Sequence, residues 1–393
     1  MTGANTNRTL LFCLLALLLG ISNACRATPN GYLLTHASLI GGNPLQVQTG
    51  MTLRLRDGRI RAMAPDGQLA AAQDEQLIDL QGAYVLPGLI NAHVHDAYDE
   101  AQLLRWVEAG ITTVRDLNPH GLHDFLAFRD AHQGKSEFAR LLSSSPILTA
   151  VGGYGSVELK DSQQAVAVVR RYARQGVDVI KLAIEDDCEG RPWTLLSADT
   201  LSAMTAAAHE AGKRVVAHLT HNYNLQLALD AQVDELAHMV VEPLNDKQLA
   251  TVVQRGIYWT PTLELWHGVS SLFSVDYEAQ AIDNLRRFHR AGGRVVLGTD
   301  FGGFSTPFDS GLPMTEFRLM QQAGMSNGDI LLAATQTAAE AIGLDKDLGS
   351  LATGKVADLL ISTQNPLQDL ASLQHPAWVF HDGIAVVRPP QAK

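Results

Sequence analysis

The segment Val85-Leu-Pro-Gly-Leu-Ile-Asn-Ala-His93-Val-His95 is a short apolar run that ends in two histidines one residue apart. Side chains two residues apart in a β-strand point to the same face, so we expect His93 and His95 to project together. Histidine is a common metal ligand, and two imidazoles on one face can hold one cation. Such a pair also occurs on ordinary surfaces, so a metal centre needs partners elsewhere in the chain.

Further apolar runs follow this segment, and helical patterns separate several of them. The runs cover residues 111–115, 146–150, 177–182, 214–218, 235–238, 257–260 and 294–300. Helices are predicted over residues 199–211 and 326–342, the second opening with a Ser326-x-x-Asp329 capping pattern and closing at Gly343. Together with the strand that ends in His95 there are about eight alternating units, which predicts an α/β fold of the (β/α)8 TIM-barrel type.

Both ends of the chain show a different, strand-rich pattern. Short strands and turns alternate over residues 32–84, where Asp57-Gly58 is a hairpin signal, and again over residues 357–362 and 378–387. We therefore predict a small composite β-sandwich domain formed from both ends. The predicted division is a signal peptide at 1–24, the sandwich at 30–87 and 348–393, and the barrel at 88–347.

The first residues have the pattern of an export signal. Residues 10–20 form an apolar run that is too short for a membrane anchor, and the small residues Ser22-Asn23-Ala24 follow it. This pattern predicts a cleaved secretory signal peptide and a periplasmic or secreted protein. Because Cys25 directly follows Ala24, lipid attachment at Cys25 stays open as an alternative. The other cysteines, Cys13 and Cys188, leave no basis for a disulfide framework.

Composition restricts the class of partner. The chain has 393 residues, of which 46% are hydrophobic and 18% charged, and its formal net charge is -11. An acidic protein is repelled by polyphosphate surfaces, so a nucleic acid or an anionic membrane is disfavoured and a small-molecule substrate is favoured. No transmembrane anchor is predicted, and the sequence leaves a homo-oligomer open.

Polar residues close several of the predicted barrel strands. They are His95, Lys181, His218, His238 and Asp300. In TIM barrels the functional groups lie at the carboxyl ends of the strands, so these side chains are expected to meet at one face. Four of the five are ordinary metal-ligand types. The set therefore favours a metal-dependent enzyme over scattered histidines.

Lys181 is the exception in this set, because a charged ammonium cannot coordinate a metal. One interpretation is a barrel lysine paired with a carboxylate. The other is that neighbouring cations lower its pKa, and the neutral amine adds carbon dioxide to become a carbamate that bridges two metals. We favour the bridging carbamate.

The motifs together resemble the amidohydrolase superfamily. The resemblance lies in Leu86-Pro-Gly before His93-Val-His95, in Lys181, His218 and His238, in Gly298-Thr299-Asp300, and in the tail Leu348-Gly349 to Ala357-Asp358. It is strongest toward the imidazolonepropionase-like and metal-dependent prolidase-like branch, and Lys181 points to the prolidase-like, two-metal side. Tyr154 stands where such relatives often carry histidine, which leaves the substrate open.

The resemblance implies a ligand set and a reaction. His93, His95 and Asp300 would hold the more buried metal, His218 and His238 the more exposed one, and carboxylated Lys181 and a hydroxide would bridge them. Zinc is the first expectation, with manganese, cobalt or iron as alternatives. Asp300 would also be catalytic, accepting the proton of the hydroxide and passing it to the departing nitrogen.

The expected reaction is hydrolysis of an amide or peptide C–N bond in a small substrate, such as a dipeptide, an Xaa-Pro-like compound or an N-acyl amino acid. Residues that follow strand ends are the candidate substrate contacts, namely Tyr98, Tyr154, His221, Tyr223 and Trp266. The same site admits cyclic amides, lactones or phosphotriesters as an alternative. The alternative from another class of protein is a non-catalytic periplasmic binding protein, in which the metal only stabilises the barrel.

Overall fold

The computed structural model of the chain describes residues 30–188 and 191–389. The predicted signal peptide and Cys25 lie outside these residues. Within them, no helix combines the length and the apolar character needed to cross a bilayer.

The described strands are, in chain order, β1 Gly31–Gly41, β2 Gln46–Arg56, β3 Arg59–Pro65, β4 Glu75–Asp79, β5 Tyr84–Pro87, β6 Leu89–Val94, β7 Ile111–Asp116, β8 Arg140–Ser143, β9 Leu148–Ala150, β10 Val157–Leu159, β11 Ile180–Ala183, β12 Asp187–Cys188, β13 Arg191–Pro192, β14 Val215–His218, β15 Glu235–Ala237, β16 Tyr258–Thr260, β17 Arg294–Val295, β18 Leu359–Ser362, β19 Trp378–His381 and β20 Ile384–Val387.

The described helices are α1 Glu100–Glu108, α2 Phe125–His132, α3 Ser162–Gln175, α4 Ala198–Glu210, α5 Asn222–Asp230, α6 Asp246–Arg255, α7 Leu263–Phe273, α8 Tyr277–Arg290, α9 Met314–Gln322, α10 Asn327–Ala333 and α11 Gln336–Ala341, with one 3-10 turn at Leu370–Leu373.

Strands from both ends of the chain form one sheet. Among the described residues it has eight strands, in the order β20-β19-β18-β5-β1-β2-β3 with β4 beside β1. Strand β5 joins the two ends, because it pairs with β1 on one side and with β18 on the other. Asp57 and Gly58 both have positive φ, 51° and 72°, in the turn between β2 and β3, which confirms the predicted hairpin. Strand pairing gives a single sheet here, not two separate ones.

Parallel strands form the central barrel. One ladder contains β6, β7 and β8, and a second contains β11, β14, β15, β16 and β17, with β9 and β10 at its β11 edge. Isolated bridges from Ser144 to Val179 and from Val94 to Phe301 connect the two ladders at both ends. Strand pairing is therefore interrupted at these two joints, although the strand order is that of a TIM barrel.

The third barrel strand differs from the sequence prediction. Residues 146–150 were expected there, but β9 contacts β11 only through the pair Leu148–Leu182. The strand beside β7 is β8, Arg140–Ser143, in which only Leu141 and Ser143 are buried. A four-residue strand with one buried hydrophobic side chain gives little periodic signal, and the serines that follow it read as a loop.

Two helix predictions have different outcomes. Helix α4 matches the prediction over 199–211 to within one residue at each end. The helix predicted over 326–342 begins with the expected Ser326–Asp329 capping box but is divided into α10 and α11. Backbone amides of the barrel explain the break, because Leu297 N–H donates to the Ala333 carbonyl and Ile90 N–H to the Ala334 carbonyl.

Candidate metal centre

The carboxyl ends of the barrel strands bring the predicted ligands together. His93 lies in β6 with His95 just beyond it, Lys181 lies in β11, and His218 ends β14. His238 follows β15 directly, and Asp300 follows the β17 segment, where its backbone N–H donates to the His93 carbonyl at 2.9 Å. The chain thus converges on one face from five strands.

The distances show how compact this cluster is. One oxygen of Asp300, Oδ1, lies 2.9 Å from His93 Nε2 and 2.9 Å from His95 Nε2. The rings of His93 and His238 have centroids 5.0 Å apart, and those of His218 and His238 are 4.6 Å apart. His93, His238 and Asp300 can offer three ligand atoms that lie within 4.8 Å of one another.

Several polar atoms of the cluster are buried without a hydrogen bond to any described residue. They are both ring nitrogens of His93, Nζ of Lys181 and Nε2 of His218. His93 Nε2 and His218 Nε2 each lie near a carboxylate oxygen, at 2.9 Å and 3.4 Å, but without the geometry of a hydrogen bond. Buried polar groups are nearly always satisfied, so buried nitrogens in one cluster that lack a regular hydrogen bond require a partner. Neutral imidazole nitrogens and a carboxylate are the donor set of divalent transition metals, which makes the residues fit such an ion.

Electrostatics keep the histidines available for a metal. Burial, together with the nearby Lys181, lowers the pKa of His93 well below its ordinary value, and burial likewise lowers that of His238. Burial would raise the pKa of Asp300, but the histidines His95, His93 and His238 outweigh it and hold the pKa well below the usual range. Asp300 is therefore ionised, while the two most buried imidazoles are neutral.

Lys181 is set apart from a structural lysine by its surroundings. Its side chain is 1% exposed, and the pKa of its amine is lowered to about 7, mainly by burial. The nearby Glu235 already pairs with Arg115 at 2.5 Å, and Lys181 forms no ion pair with a described carboxylate within 4.0 Å. The amine is consequently available in its neutral, nucleophilic form near neutral pH.

Close backbone packing supports the cluster. A Cβ added to Gly298 would lie 2.6 Å from His93 Cβ, and one added to Gly303 would lie 2.3 Å from Asp300 Oδ2. His238 and Asp300 have φ values of 72° and 64°, which non-glycine residues rarely adopt. Strain of this kind persists where the surrounding structure fixes it, and it concentrates at functional sites.

The cluster forms the floor of a cavity of about 540 Å³. His95, Lys181, His218, His238 and Asp300 all line it. This volume is within the range of sites that enclose a small molecule.

Comparison with known proteins identifies the family. The sequence model of the amidohydrolase family matches residues 84–383. This chain belongs to the amidohydrolase family. It is 28% identical over 375 residues to an imidazolonepropionase of Chromobacterium violaceum, covering 81% of this chain and 87% of that protein. A putative prolidase of Bifidobacterium longum has 29% identity and a TM-score of 0.78, covering 93% and 96% of the two chains.

The fold agrees with this assignment. A Xaa-Pro dipeptidase crystallised with methionine in its active site superimposes with a TM-score of 0.80 at 23% identity, covering 90% of this chain and 99% of the other. The chain therefore falls in the imidazolonepropionase-like and prolidase-like branch of the amidohydrolases, and it is a hydrolase that acts on carbon–nitrogen bonds.

Three of the predicted substrate contacts of this amidohydrolase line the cavity. Tyr154 stacks on His218 with ring centroids 4.5 Å apart, and His221 and Trp266 also face the cavity.

The other two predicted contacts do not line it. The Tyr98 hydroxyl donates to Ser143 Oγ at 2.9 Å, and its ring packs against Phe125 and Phe128 beneath α2. Tyr223 lies in the first turn of α5 with 59% of its surface exposed. Proximity to a strand end was therefore misleading for both tyrosines, because the following helices turn them away.

Two residues that contact the histidines were not predicted. Thr262 Oγ1 lies 2.8 Å from His238 Nδ1, and Glu185 Oε2 lies 3.4 Å from His218 Nε2 and accepts a hydrogen bond from Thr220. A sequence signal existed for each: Thr262 is two residues after the last residue of β16, and Glu185 is four after Lys181. Even spacing from a strand end keeps a side chain on the same face.

Proposed function

We propose that the chain hydrolyses an amide or peptide C–N bond of a small substrate at a binuclear metal centre. The observation that carries this proposal is that the buried nitrogens of His93, Lys181 and His218, none of which makes a hydrogen bond of regular geometry, lie in one cluster with the ionised Asp300. Membership of the amidohydrolase family supports it.

We propose the ligand assignment that the family resemblance implies, and the distances within the cluster support it. His93, His95 and Asp300 would hold one ion, since both histidines share a single carboxylate oxygen, and His218 and His238 would hold the other. Zinc is the first expectation, with manganese, cobalt or iron as alternatives, because such donor sets select partly by availability. Bound there, divalent ions lower the pKa of water and polarise a scissile carbonyl.

Lys181 would join the two ligand groups as a carbamate. Its neutral amine nitrogen would attack carbon dioxide, a new N–C bond would form, and one proton would be released. The product carries a negative charge on oxygen, which suits a cationic site where an ammonium does not. Burial and the lowered pKa of the amine, about 7, support this step.

Asp300 would move the proton that amide cleavage requires. Its ionised carboxylate faces the cavity, so it can accept a proton from the attacking water and hold it on the oxygen. An amide nitrogen leaves poorly unless it is protonated, and the same carboxyl group can deliver that proton.

The substrate would be the size of a dipeptide, an Xaa-Pro-like compound or an N-acyl amino acid, which a cavity of about 540 Å³ accommodates. The test is to incubate metal-loaded protein with a library of these compounds and to identify products by mass. Products of C–N cleavage that vanish on chelation and return with metal support the proposal. Cleavage of lactones or phosphotriesters alone, or activity indifferent to chelators, contradicts it.

Export and domain organisation belong to the same proposal. We infer that residues 1–24 direct the chain to a periplasmic or secreted location, with lipid attachment at Cys25 as the alternative. We also infer that the single sheet built from 30–87 and 348–393 folds over on itself as a composite sandwich, beside the barrel of 88–347. Cell fractionation with and without residues 1–24, and labelling with a fatty-acid probe, test the location.

A further inference from the structure

The cavity above the metal ligands has two chemically different sides. One side is built by α7, the start of α8 and the segment after Asp300. We call it the α7 wall, and define it as Leu265, Trp266, Val269, Phe273, Tyr277 and Phe304. Every member is apolar or aromatic, whereas the other residues that line the cavity are mainly polar, such as Asn118 and Asp187.

The α7 wall reaches from the metal ligands to solvent. At its inner end Trp266 is 6% exposed, and its ring centroid lies 6.1 Å from that of His238 and 5.8 Å from that of Tyr277. At its outer end Phe273 is 58% exposed and lies 6.0 Å from Phe304, centroid to centroid. A substituent next to the scissile bond can therefore lie on apolar surface along its whole length.

The wall is held in place from behind. A Cβ added to Gly268 would lie 2.5 Å from Thr306 Cβ, so the segment after Asp300 packs tightly on α7. The buried Glu264 accepts a hydrogen bond from Asp309 N–H at 2.6 Å, and its own N–H donates to Glu316 at 2.6 Å. Because this surface is already ordered, an apolar group that binds to it loses little affinity to rearrangement.

Outside the proposed metal ligands, the charged side chains that line the cavity disfavour an anionic substrate. Asp96 and Asp187 are exposed and line it. Of all the described lining residues, Lys181 is the one lysine and there is no arginine; Lys181 is buried in the floor among the predicted ligands. A free carboxylate near the mouth would thus meet two like charges and no arginine partner.

We propose that the enzyme selects neutral amides that carry a large aromatic or branched aliphatic group, which lies on the α7 wall, and that it discriminates against substrates with a free carboxylate. This inference rests on the proposed amide hydrolysis. It narrows the dipeptide-sized class to members whose carboxyl end is blocked.

Matched substrates test the proposal. N-acetylglycyl-phenylalaninamide, N-acetylglycyl-alaninamide and N-acetylglycyl-phenylalanine carry no amino charge and differ by one feature each, and N-acetylphenylalanyl-glycinamide places the ring on the other side of the scissile bond. We expect kcat/KM to be about tenfold or more higher for a phenylalanine amide than for its alanine counterpart. We also expect the carboxamide to be cleaved faster than the free carboxylate.

Two neighbouring variants provide the control. Phe273→Asp puts a charge on the α7 wall, while Leu272→Asp puts the same charge on the adjacent residue, which is 55% exposed and does not line the cavity. Phe273→Asp should lower kcat/KM for the phenylalanine amide by about tenfold or more and lower that for the alanine amide by a clearly smaller factor. Leu272→Asp should leave kcat/KM unchanged for both amides. Thermal unfolding of both variants checks that they fold.

Asp187→Asn tests the charge argument separately. Removing one exposed carboxylate should raise kcat/KM for the anionic N-acetylglycyl-phenylalanine by about two- to fivefold at low salt, with a smaller effect on the carboxamide. Equal cleavage of all members, a preference for the free carboxylate, or identical behaviour of the Phe273→Asp and Leu272→Asp variants would overturn the inference and leave the proposed function standing. If no amide is cleaved in a metal-dependent reaction, both the inferred substrate selectivity and the proposed amide hydrolysis are wrong.

Discussion

Thr262 fixes the orientation of His238, and the substitution Thr262→Val should weaken metal binding. The threonine hydroxyl lies 2.8 Å from His238 Nδ1, both residues are buried, and the remaining ring nitrogen, Nε2, is left for a cation. Valine has the same shape and the same branching at Cβ. The unusual backbone of this position, with φ of 47°, therefore costs about the same in both proteins.

The magnitude follows from the lost hydrogen bond. Leaving a buried polar atom unsatisfied costs about 1–3 kcal/mol. Because about 1.4 kcal/mol corresponds to a tenfold change in an equilibrium constant, this range is about fivefold to more than a hundredfold. Loss of a residue that orients a metal-binding histidine typically lowers metal affinity by about 10–100-fold, which agrees with this range.

Competition with a chelator of known affinity measures the effect directly, without reference to turnover. Thr262→Ser is the matched control, because it keeps the hydroxyl and should retain metal affinity close to that of the wild type. Thermal unfolding of the metal-free proteins separates a general loss of stability from a loss of metal binding. Equal metal affinity in the valine variant, the serine variant and the wild type would refute the role of Thr262.

The other predictions concern the cluster and the carboxyl pair behind the α7 wall. Asp300→Asn should keep much of the metal but lower kcat by about 10²–10⁴-fold, and near-normal turnover would exclude its proton transfer. Lys181→Ala should lower metal content by mass spectrometry, with partial restoration by added propionate; unchanged metal content would exclude a bridging role. Glu264 and Glu316 have pKa values raised from 4.5 to about 9 and about 8, mainly by burial, so the folded state binds protons more tightly than the unfolded state. Their contribution to stability is complete below pH 4.5 and is lost as the pH rises to about 9. Between pH 6 and pH 9, the free energy of unfolding measured with urea should therefore fall less for Glu316→Gln than for the wild type. An equal fall in both proteins would contradict the raised pKa of Glu316.

Much of the fold could be predicted because hydrophobic periodicity reports burial. The runs that end in His218 and His238 are strands whose described residues are all buried, and such runs are visible in a sequence. Strand β8 could not be predicted, since two of its four residues are only partly buried and its pairing depends on β7. The break between α10 and α11 also depends on distant residues, because amides of Ile90 and Leu297 take up the helix carbonyls.

The residues of the candidate site also fall into a group that the sequence predicts and a group that it does not. The predicted ligands lie at strand ends, where the barrel topology alone brings them to one face. Thr262 and Glu185 were not predicted, because their even spacing from a strand residue does not show which histidine they contact. The α7 wall was not predicted, because it combines segments that are far apart in the chain. Tyr98 and Tyr223 show the opposite error, in which sequence position suggested a contact that the helices prevent.

Strand β5 has a consequence for the order of folding. It pairs with β1, which precedes it closely, and with β18, which follows the whole barrel. It also leads within two residues into β6 and His93. Contacts between residues so distant in sequence form slowly, because a long loop must close first. Strand β6, which carries His93, is therefore held on its β5 side only after the barrel has formed and β18 has paired with β5. Formation of the candidate metal centre and completion of the terminal sheet should accordingly be late and coupled steps of folding.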